Sequence, residues 1–387
     1  MFNNATTSSL SKNVSLVHSG EDYFSRLEQI ILDAKTEIHI QTYIFDYDSI
    51  GKKIISALKE AASKNVKIFL LIDGFGSFSF PHNLINELKK IGIEIRFFSP
   101  FFSANSLYIG RRLHHKVVVA DKKIALIGGI NIASKYYGTD KVSPWLDYAV
   151  QITDEGIGVQ LSKLCLNMFL RKRRVSRTKI AYVMYSNSEM AVSVLQNDWL
   201  KRKKEIYRAY LKCIGDAKKE IVIMGSYFLP GRKLIDSLKK ASHKNVKIKL
   251  ILSGISDVPI ARRASCHLYS KLLRYNIELC EWKSSILHAK TAVIDNNWTT
   301  IGSFNLNNLS SFASIEMNVE IKFAEFSNNY RLHLEEIMNQ CDRITPESLH
   351  LKDKLTTKFL NWSCYLITRT IEIIVTYLPH KRFKILY

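Results

Sequence analysis

Apolar and polar residues alternate through Glu37–Tyr43 (E-I-H-I-Q-T-Y) and again through Glu220–Tyr227 (E-I-V-I-M-G-S-Y). A repeat of two marks a strand with at least one buried face. Behind each strand the spacing changes. Ile54, Ile55, Leu58 and Ala61 fall on one helical face, as do Leu234, Ile235, Leu238 and Ala241. A short apolar run then follows in each case, Val66–Ile72 and Val246–Leu252, and reads as a second strand. Strand–helix–strand order predicts an α/β layered fold.

These stretches are two copies of one pattern. D-A-K-T-E-I-H-I-Q-T-Y-I-F from Asp33 matches D-A-K-K-E-I-V-I-M-G-S-Y-F from Asp216, and S-K-N-V-K-I ending at Ile68 matches H-K-N-V-K-I ending at Ile248. Downstream, His114–Asn131 aligns with His288–Asn305, and D-Y-A-V-Q-I from Asp147 aligns with E-M-N-V-E-I from Glu316. Shared blocks in one order mean a duplicated α/β unit. The expected organisation is a flexible N-terminus (1–19), a first half (20–155), a basic bridging segment (156–199), a second half (200–345) and a C-terminal segment (346–387).

The third shared block carries the chemistry. H-H-K-V-V-V-A-D places His114, Lys116 and Asp121, followed by Gly128, Gly129 and Asn131. H-A-K-T-A-V-I-D places His288, Lys290 and Asp295, followed by Gly302, Ser303 and Asn305. A His and a Lys two apart on a strand project from the same face. Displacement at a phosphodiester needs a nucleophile, an acid for the departing oxygen, and donors for the non-bridging oxygens. Two histidines supply the first two roles. Lys116, Lys290, Asn131, Asn305 and the Ser303 hydroxyl supply the phosphate donors. The set calls for no metal and no cofactor. Asp147 and Glu316, equivalent acids after the two motifs, suit the task of holding a histidine tautomer and stabilising imidazolium. Asp121 and Asp295 complete the catalytic motif and stand where they could tie down the turn after the strand. One H-x-K occurs by chance; two intact copies in register inside a repeat do not.

This doubled H-x-K-x4-D, each followed by G-x-x-N, resembles the signature of the phospholipase D superfamily, and the resemblance covers residues 20–325. It implies two homologous α/β halves with pseudo-twofold symmetry, sheets flanked by helices, one active site at the seam and a phosphohistidine intermediate. By the same resemblance His114 is the nucleophile and His288 the acid; the residues alone leave that choice open. Gly129 departs from the pattern, standing where Ser303 stands in the second copy. A finer set comprises the D-G-x-G-S of Asp73, Gly74, Gly76 and Ser77, Arg111-Arg112-Leu113 before the first motif, S-Y-F-L-P-G from Ser226, and D-V-P-I from Asp257. It is similar to the short bacterial cardiolipin synthases, which lack N-terminal membrane spans. That implies a phosphatidyltransferase joining two phospholipids with release of a small alcohol. The alternative is a phospholipase D-type hydrolase or a nuclease using the same chemistry.

Composition changes the picture in two places. An apolar share of 47% with 24% charged residues excludes a mainly disordered chain. Lys plus Arg is 56 against 35 Asp plus Glu, a net charge of +21, which draws the chain to an anionic membrane surface or to nucleic acid. The C-terminal segment favours the membrane. From Phe359 to Leu378, the residues Asn361, Tyr365, Thr368, Arg369, Glu372 and Thr376 form one polar helical stripe, with apolar residues over most of the remainder and His380, Lys381, Arg382 and Lys384 beyond. Arg369 and Glu372 in its middle argue against spanning, so the helix either lies in the interface or packs on the core. The basic run Arg171, Lys172, Arg173, Arg174, Arg177 and Lys179 is a second candidate for headgroup contact. Phospholipid substrates are the expected partners and nucleic acid is disfavoured; oligomeric state is not legible. Six cysteines without a C-x-x-C pair fit a reducing compartment, and hence a peripheral protein on the cytoplasmic face of the cell membrane.

Overall fold

The alternating runs pair as strands in the computed structural model, which describes residues 13–100, 102–103, 106–107, 111–171, 182–184, 190–198, 203–308, 310, 314–352, 354–377 and 383–384. The first half contributes β1 (Val14–His18), β2 (Glu37–Thr42), β3 (Lys67–Asp73), β4 (Ile93–Phe98), β5 (Lys116–Ala120), β6 (Ile124–Gly128) and β7 (Tyr148–Thr153), ordered β1-β7-β6-β5-β2-β3-β4 in one sheet. The second contributes β8 (Ala191–Asp198), β9 (Glu220–Gly225), β10 (Lys247–Ser253), β11 (Glu278–Trp282), β12 (Lys290–Ile294), β13 (Trp298–Gly302), β14 (Ser314–Lys322) and β15 (Asp342–Ile344). Their order is β8-β14-β13-β12-β9-β10-β11-β15. Each sheet is mixed: β2, β3 and β4 run parallel, as do β9, β10 and β11, while β5 and β12 join antiparallel.

Helices cover both sheets. One face of the first packs on α1 (Glu21–Asp33), α2 (Ser49–Ser63) and α3 (His82–Lys90). The second packs on α5 (Glu205–Asp216), α6 (Arg232–His243) and α7 (Pro259–Cys266). The remaining faces, with α4 (Glu155–Phe169) and α8 (Ala324–Asn339), share one apolar cluster in which Val119, Ile127, Val150 and Leu161 join Val293, Ile301, Val319 and Leu334. The expected architecture of two α/β halves is present, with β7 beside β13 and β6 beside β14.

The repeat is longer than its legible sequence. Residues 14–18, expected within a flexible N-terminus, form β1 and pair antiparallel with β7. Their counterpart is β8, pairing antiparallel with β14. The bridging segment is likewise mostly structured, since it holds α4 and β8. Asp154 caps α4, accepting from the Ile157 amide at 2.8 Å. The basic residues 172–179 lie outside the described residues.

The C-terminal segment forms α9 (Leu355–Tyr377), lying along α7. Between Tyr365 and Glu372 its polar stripe faces inward. Cys364 is buried, the Tyr365 ring lies 4.7 Å from that of His267, and Arg369 Nη2 donates to the Pro230 carbonyl at 2.6 Å. Glu372, 1% exposed, accepts from the Asn308 amide and Nδ2, both at 3.2 Å, and pairs with Arg369 at 2.9 Å. No helix among the described residues is long and apolar enough to cross a membrane.

Val17 is fully buried at the first sheet's edge. Val17→Ala is therefore expected to lower stability by about 1.5–3 kcal/mol in urea unfolding, where a loose terminus would show no change.

Candidate active site

Main-chain pairing at the seam brings the two motifs together. The amides of His114 and His115 both donate to the Ile315 carbonyl, at 3.0 and 2.8 Å. The His288 amide donates to the Leu146 carbonyl at 2.8 Å. Each histidine is thereby stitched beside the residue that precedes the other half's acid. The side chains complete the crossing: His114 Nδ1 donates to Glu316 Oε2 at 3.0 Å, and His288 Nδ1 donates to Asp147 Oδ2 at 2.6 Å. Ionised carboxylates only accept, so both imidazoles carry the proton on Nδ1 and turn an unprotonated Nε2 to the site, that of His288 lying 3.4 Å from the Tyr136 hydroxyl. Lys290 Nζ stands 2.8 Å from His288 Nδ1, but that nitrogen is already a donor. Lys290 therefore gives its hydrogen bond to the His288 carbonyl. Lys116 Nζ likewise donates to the His114 carbonyl, at 2.6 Å.

Burial dominates the electrostatics. It pushes His114 below 6.5 despite Glu316, and pushes His288 lower, helped by Lys290 and Lys116. Both are thus neutral. Burial, with the opposing charge of Lys290, takes Lys116 down to about 7; Lys290, relieved by Asp147, falls to about 8. Asp147 is raised to about 7 by the same loss of water. A bound phosphodiester would add negative charge beside both lysines and favour their protonated forms.

The glycine departure has a steric cause. A Cβ at Gly129 would lie 2.4 Å from Asp147 Oδ1, so glycine leaves room for the short acid. Opposite it, the Ser303 hydroxyl donates to Glu316 Oε2 at 2.5 Å. Ser303, expected on phosphate, is instead committed to Glu316. Asn131 is committed too: its Oδ1 accepts from the Ile44 amide at 3.0 Å, and its Nδ2 donates to the Tyr136 hydroxyl at 2.7 Å. Asn305 Oδ1 accepts from Ser226 at 3.0 Å, while its Nδ2 makes no hydrogen bond among the described residues and stays available. Asp121 and Asp295, counted with the catalytic motif, face away from it. Asp121 accepts from the amides of Lys35, Thr36 and Glu37, and Asp295 from those of Lys218, Lys219 and Glu220. Both sit at positive φ, which Asp tolerates, and they fix each hairpin to the neighbouring strand's start.

Four aromatic residues border the histidines without having been counted as site residues, although Tyr43 and Tyr227 hold matching places in the two repeat blocks. Tyr43 lies 5.0 Å from the His114 ring and Tyr136 5.3 Å from that of His288. Trp145 and Tyr227 also border His288, at 5.9 and 6.4 Å. The D-G-x-G-S turn serves Tyr43: Asp73 Oδ1 accepts from the Phe75 and Gly76 amides, and Ser77 donates to the Tyr43 carbonyl at 3.0 Å. His115, between the catalytic pair, points the other way. It meets Gln41 at 2.8 Å and burial pushes it down to about 3, so it is a neutral packing residue.

A family model described as "Cardiolipin synthase, PLD-like domain" matches residues 27–163 and again residues 210–338. The chain belongs to this family. It is 32% identical over 305 residues to proteins named cardiolipin synthase B from Shigella flexneri and Escherichia coli K12, covering 77% of this chain and 73% of theirs. It is 30% identical over 304 residues to cardiolipin synthase 1 of Bacillus cereus, covering 76% of this chain and 60% of that one. In fold it is similar to phosphatidylserine synthase from Haemophilus influenzae, with a TM-score of 0.74, 13% identity and 95% of each chain covered.

Two outcomes are expected. Gly129→Ser should displace Asp147 and cut kcat/KM on the order of 10²-fold while the circular dichroism spectrum is kept, and Ser303→Ala should act more mildly. The pH profile of kcat/KM should have an acid limb below 6.5, where His114 gains a proton, and an alkaline limb between about 7 and 8, where the lysines lose theirs. An alkaline limb near pH 10 would contradict the depressed lysines.

Proposed function

We propose that this chain is a cardiolipin synthase-type phosphatidyltransferase working through a phosphohistidine. The crossed histidine–carboxylate pairs carry the mechanistic reading, and the relatives' names carry the substrate class. In the first step His114 Nε2 bonds to the phosphorus of one phospholipid. The bound phosphate's negative charge, beside that of Asp147, offsets the lysines and lets the otherwise neutral His288 take up a proton from water; the bond to the headgroup oxygen then breaks, and His288 passes this proton to it. In the second step a hydroxyl of another phospholipid gives its proton to His288 and bonds to phosphorus, and His114 leaves. Water in place of that hydroxyl yields hydrolysis. His114 is the better nucleophile candidate because its side chain is 17% exposed against 7% for His288. Lys116, Lys290 and Asn305 Nδ2 would hold the non-bridging oxygens.

Access to lipid falls to α9. With that part of its polar stripe turned inward, Leu355, Phe359, Leu360, Trp362, Leu366, Ile367, Ile371, Ile373 and Ile374 stand 42–86% exposed. A face of this size with aromatic members suits the interfacial zone of a bilayer, and the net charge of +21 favours anionic lipid. The protein would then sit peripherally on the cytoplasmic face, where its six free cysteines stay reduced.

Purified protein given phosphatidylglycerol vesicles, alone and with phosphatidylethanolamine, should form a four-chain lipid detected by mass spectrometry. His114→Ala and His288→Ala should each reduce it on the order of 10⁴-fold. Cleavage of a single-stranded DNA control with the lipid untouched would overturn the transferase reading. Trp362→Asp and Ile371→Asp should each weaken flotation with anionic vesicles about tenfold, and unchanged flotation would remove α9 from the interface.

A further inference from the structure

The groups described so far deal with phosphate and protons. All of them donate to the substrate or exchange a proton with it, and both buried acids are claimed by histidines. None recognises the rest of the headgroup, the small alcohol that departs. If the transferase reading holds, that alcohol bears at least one further hydrogen-bond donor, a hydroxyl or an ammonium. It needs an acceptor at the mouth of the site.

One carboxylate is placed for it. The Tyr227 ring stands edge-on to His288 at 6.4 Å, and its hydroxyl donates to Asp257 Oδ1 at 2.6 Å. Asp257 follows β10 and immediately precedes the α7 N-terminal region; it is exposed and makes no ion pair among the described residues. Its charge nevertheless reaches the site, where it raises Lys290's hold on its proton. Burial and the Asp257 charge both keep the Tyr227 phenol protonated, so it remains a donor to Oδ1. That leaves Asp257 Oδ2, on an exposed residue, without a hydrogen-bond partner among the described residues. In the first half the turn after β3 instead puts Asp73 inside, where it accepts the Leu113 amide at 2.8 Å and meets Arg112 at 3.7 Å. An unpaired acid near two lysines, in a chain of charge +21, is costly for phosphate binding unless it meets another part of the substrate.

We propose that Asp257, positioned by Tyr227, forms a headgroup subsite that accepts hydrogen bonds from the free hydroxyl or ammonium of the exchanging alcohol. This rests on the transferase reading above. The subsite lies on the His288 side, where that alcohol receives its proton. It would favour short alcohols carrying a second donor, such as glycerol and ethanolamine, over simple alcohols without one.

Alcohol exchange tests it. The protein is given phosphatidylglycerol vesicles with competing labelled glycerol, ethanolamine and ethanol, and the three phosphatidyl products are quantified. In Asp257→Asn the preference for ethanolamine over ethanol should fall by about tenfold or more, and that for glycerol over ethanol by less, because only the ammonium loses an ionic partner. Tyr227→Phe should shift both ratios in the same direction. Ratios unchanged within about twofold, whether or not the overall rate falls, would overturn the subsite, since a merely structural role would slow all three alcohols alike. A wild-type protein that makes no phosphatidyl product from any alcohol would instead overturn the transferase reading, and the subsite with it.

Discussion

Two histidines, two lysines and two acids are buried together at one seam, and the fold must make them satisfy one another. Lys116, His288, Lys290, Asp147 and Glu316 are almost wholly removed from water. An unpaired charge there would cost several kcal/mol. With neutral imidazoles, two ammonium groups balance two carboxylates. This balance holds only when each acid reaches across to the other half's histidine. The paired main chains at Ile315 and Leu146 fix that reach to hydrogen-bond precision, and the sheets behind them supply rigidity.

The sequence carried the duplication, the strand–helix–strand order and the eleven polar positions of the motifs, because each leaves a local pattern. It did not carry the crossing. Spacing says that Asp147 and Glu316 are equivalent, but a partner chosen through tertiary packing has no period. Nor could spacing tell that Asn131 serves Tyr136 or that Ser303 serves Glu316, since an amide or hydroxyl beside an active site reads as a donor to substrate. The β1 strand was missed for a different reason. Five residues next to a polar terminus give too short an alternation, and its pairing with β7 is made over more than a hundred residues of chain.

The C-terminal helix shows the same limit in a sharper form. Periodicity locates a polar stripe on α9 but is silent on which side meets the body. In soluble helices the apolar side packs inward; here Arg369 and Glu372 do, because Pro230 and Asn308 present backbone and amide groups that only polar side chains can satisfy. These two loops lead directly to Ser226 and Asn305, so the helix that carries the apolar face also braces one wall of the site.

The crossed seam constrains descent as well as catalysis. Because Gly129 accommodates an acid that serves His288, and Ser303 supports an acid that serves His114, neither copy holds a complete centre. After duplication the two copies were free to drift on their outer helices, but a change to one copy's acid or its neighbour is felt by the other copy's histidine. The halves are therefore inherited as one unit. A single copy could have worked only as a pair of identical chains exchanging acids across a twofold axis.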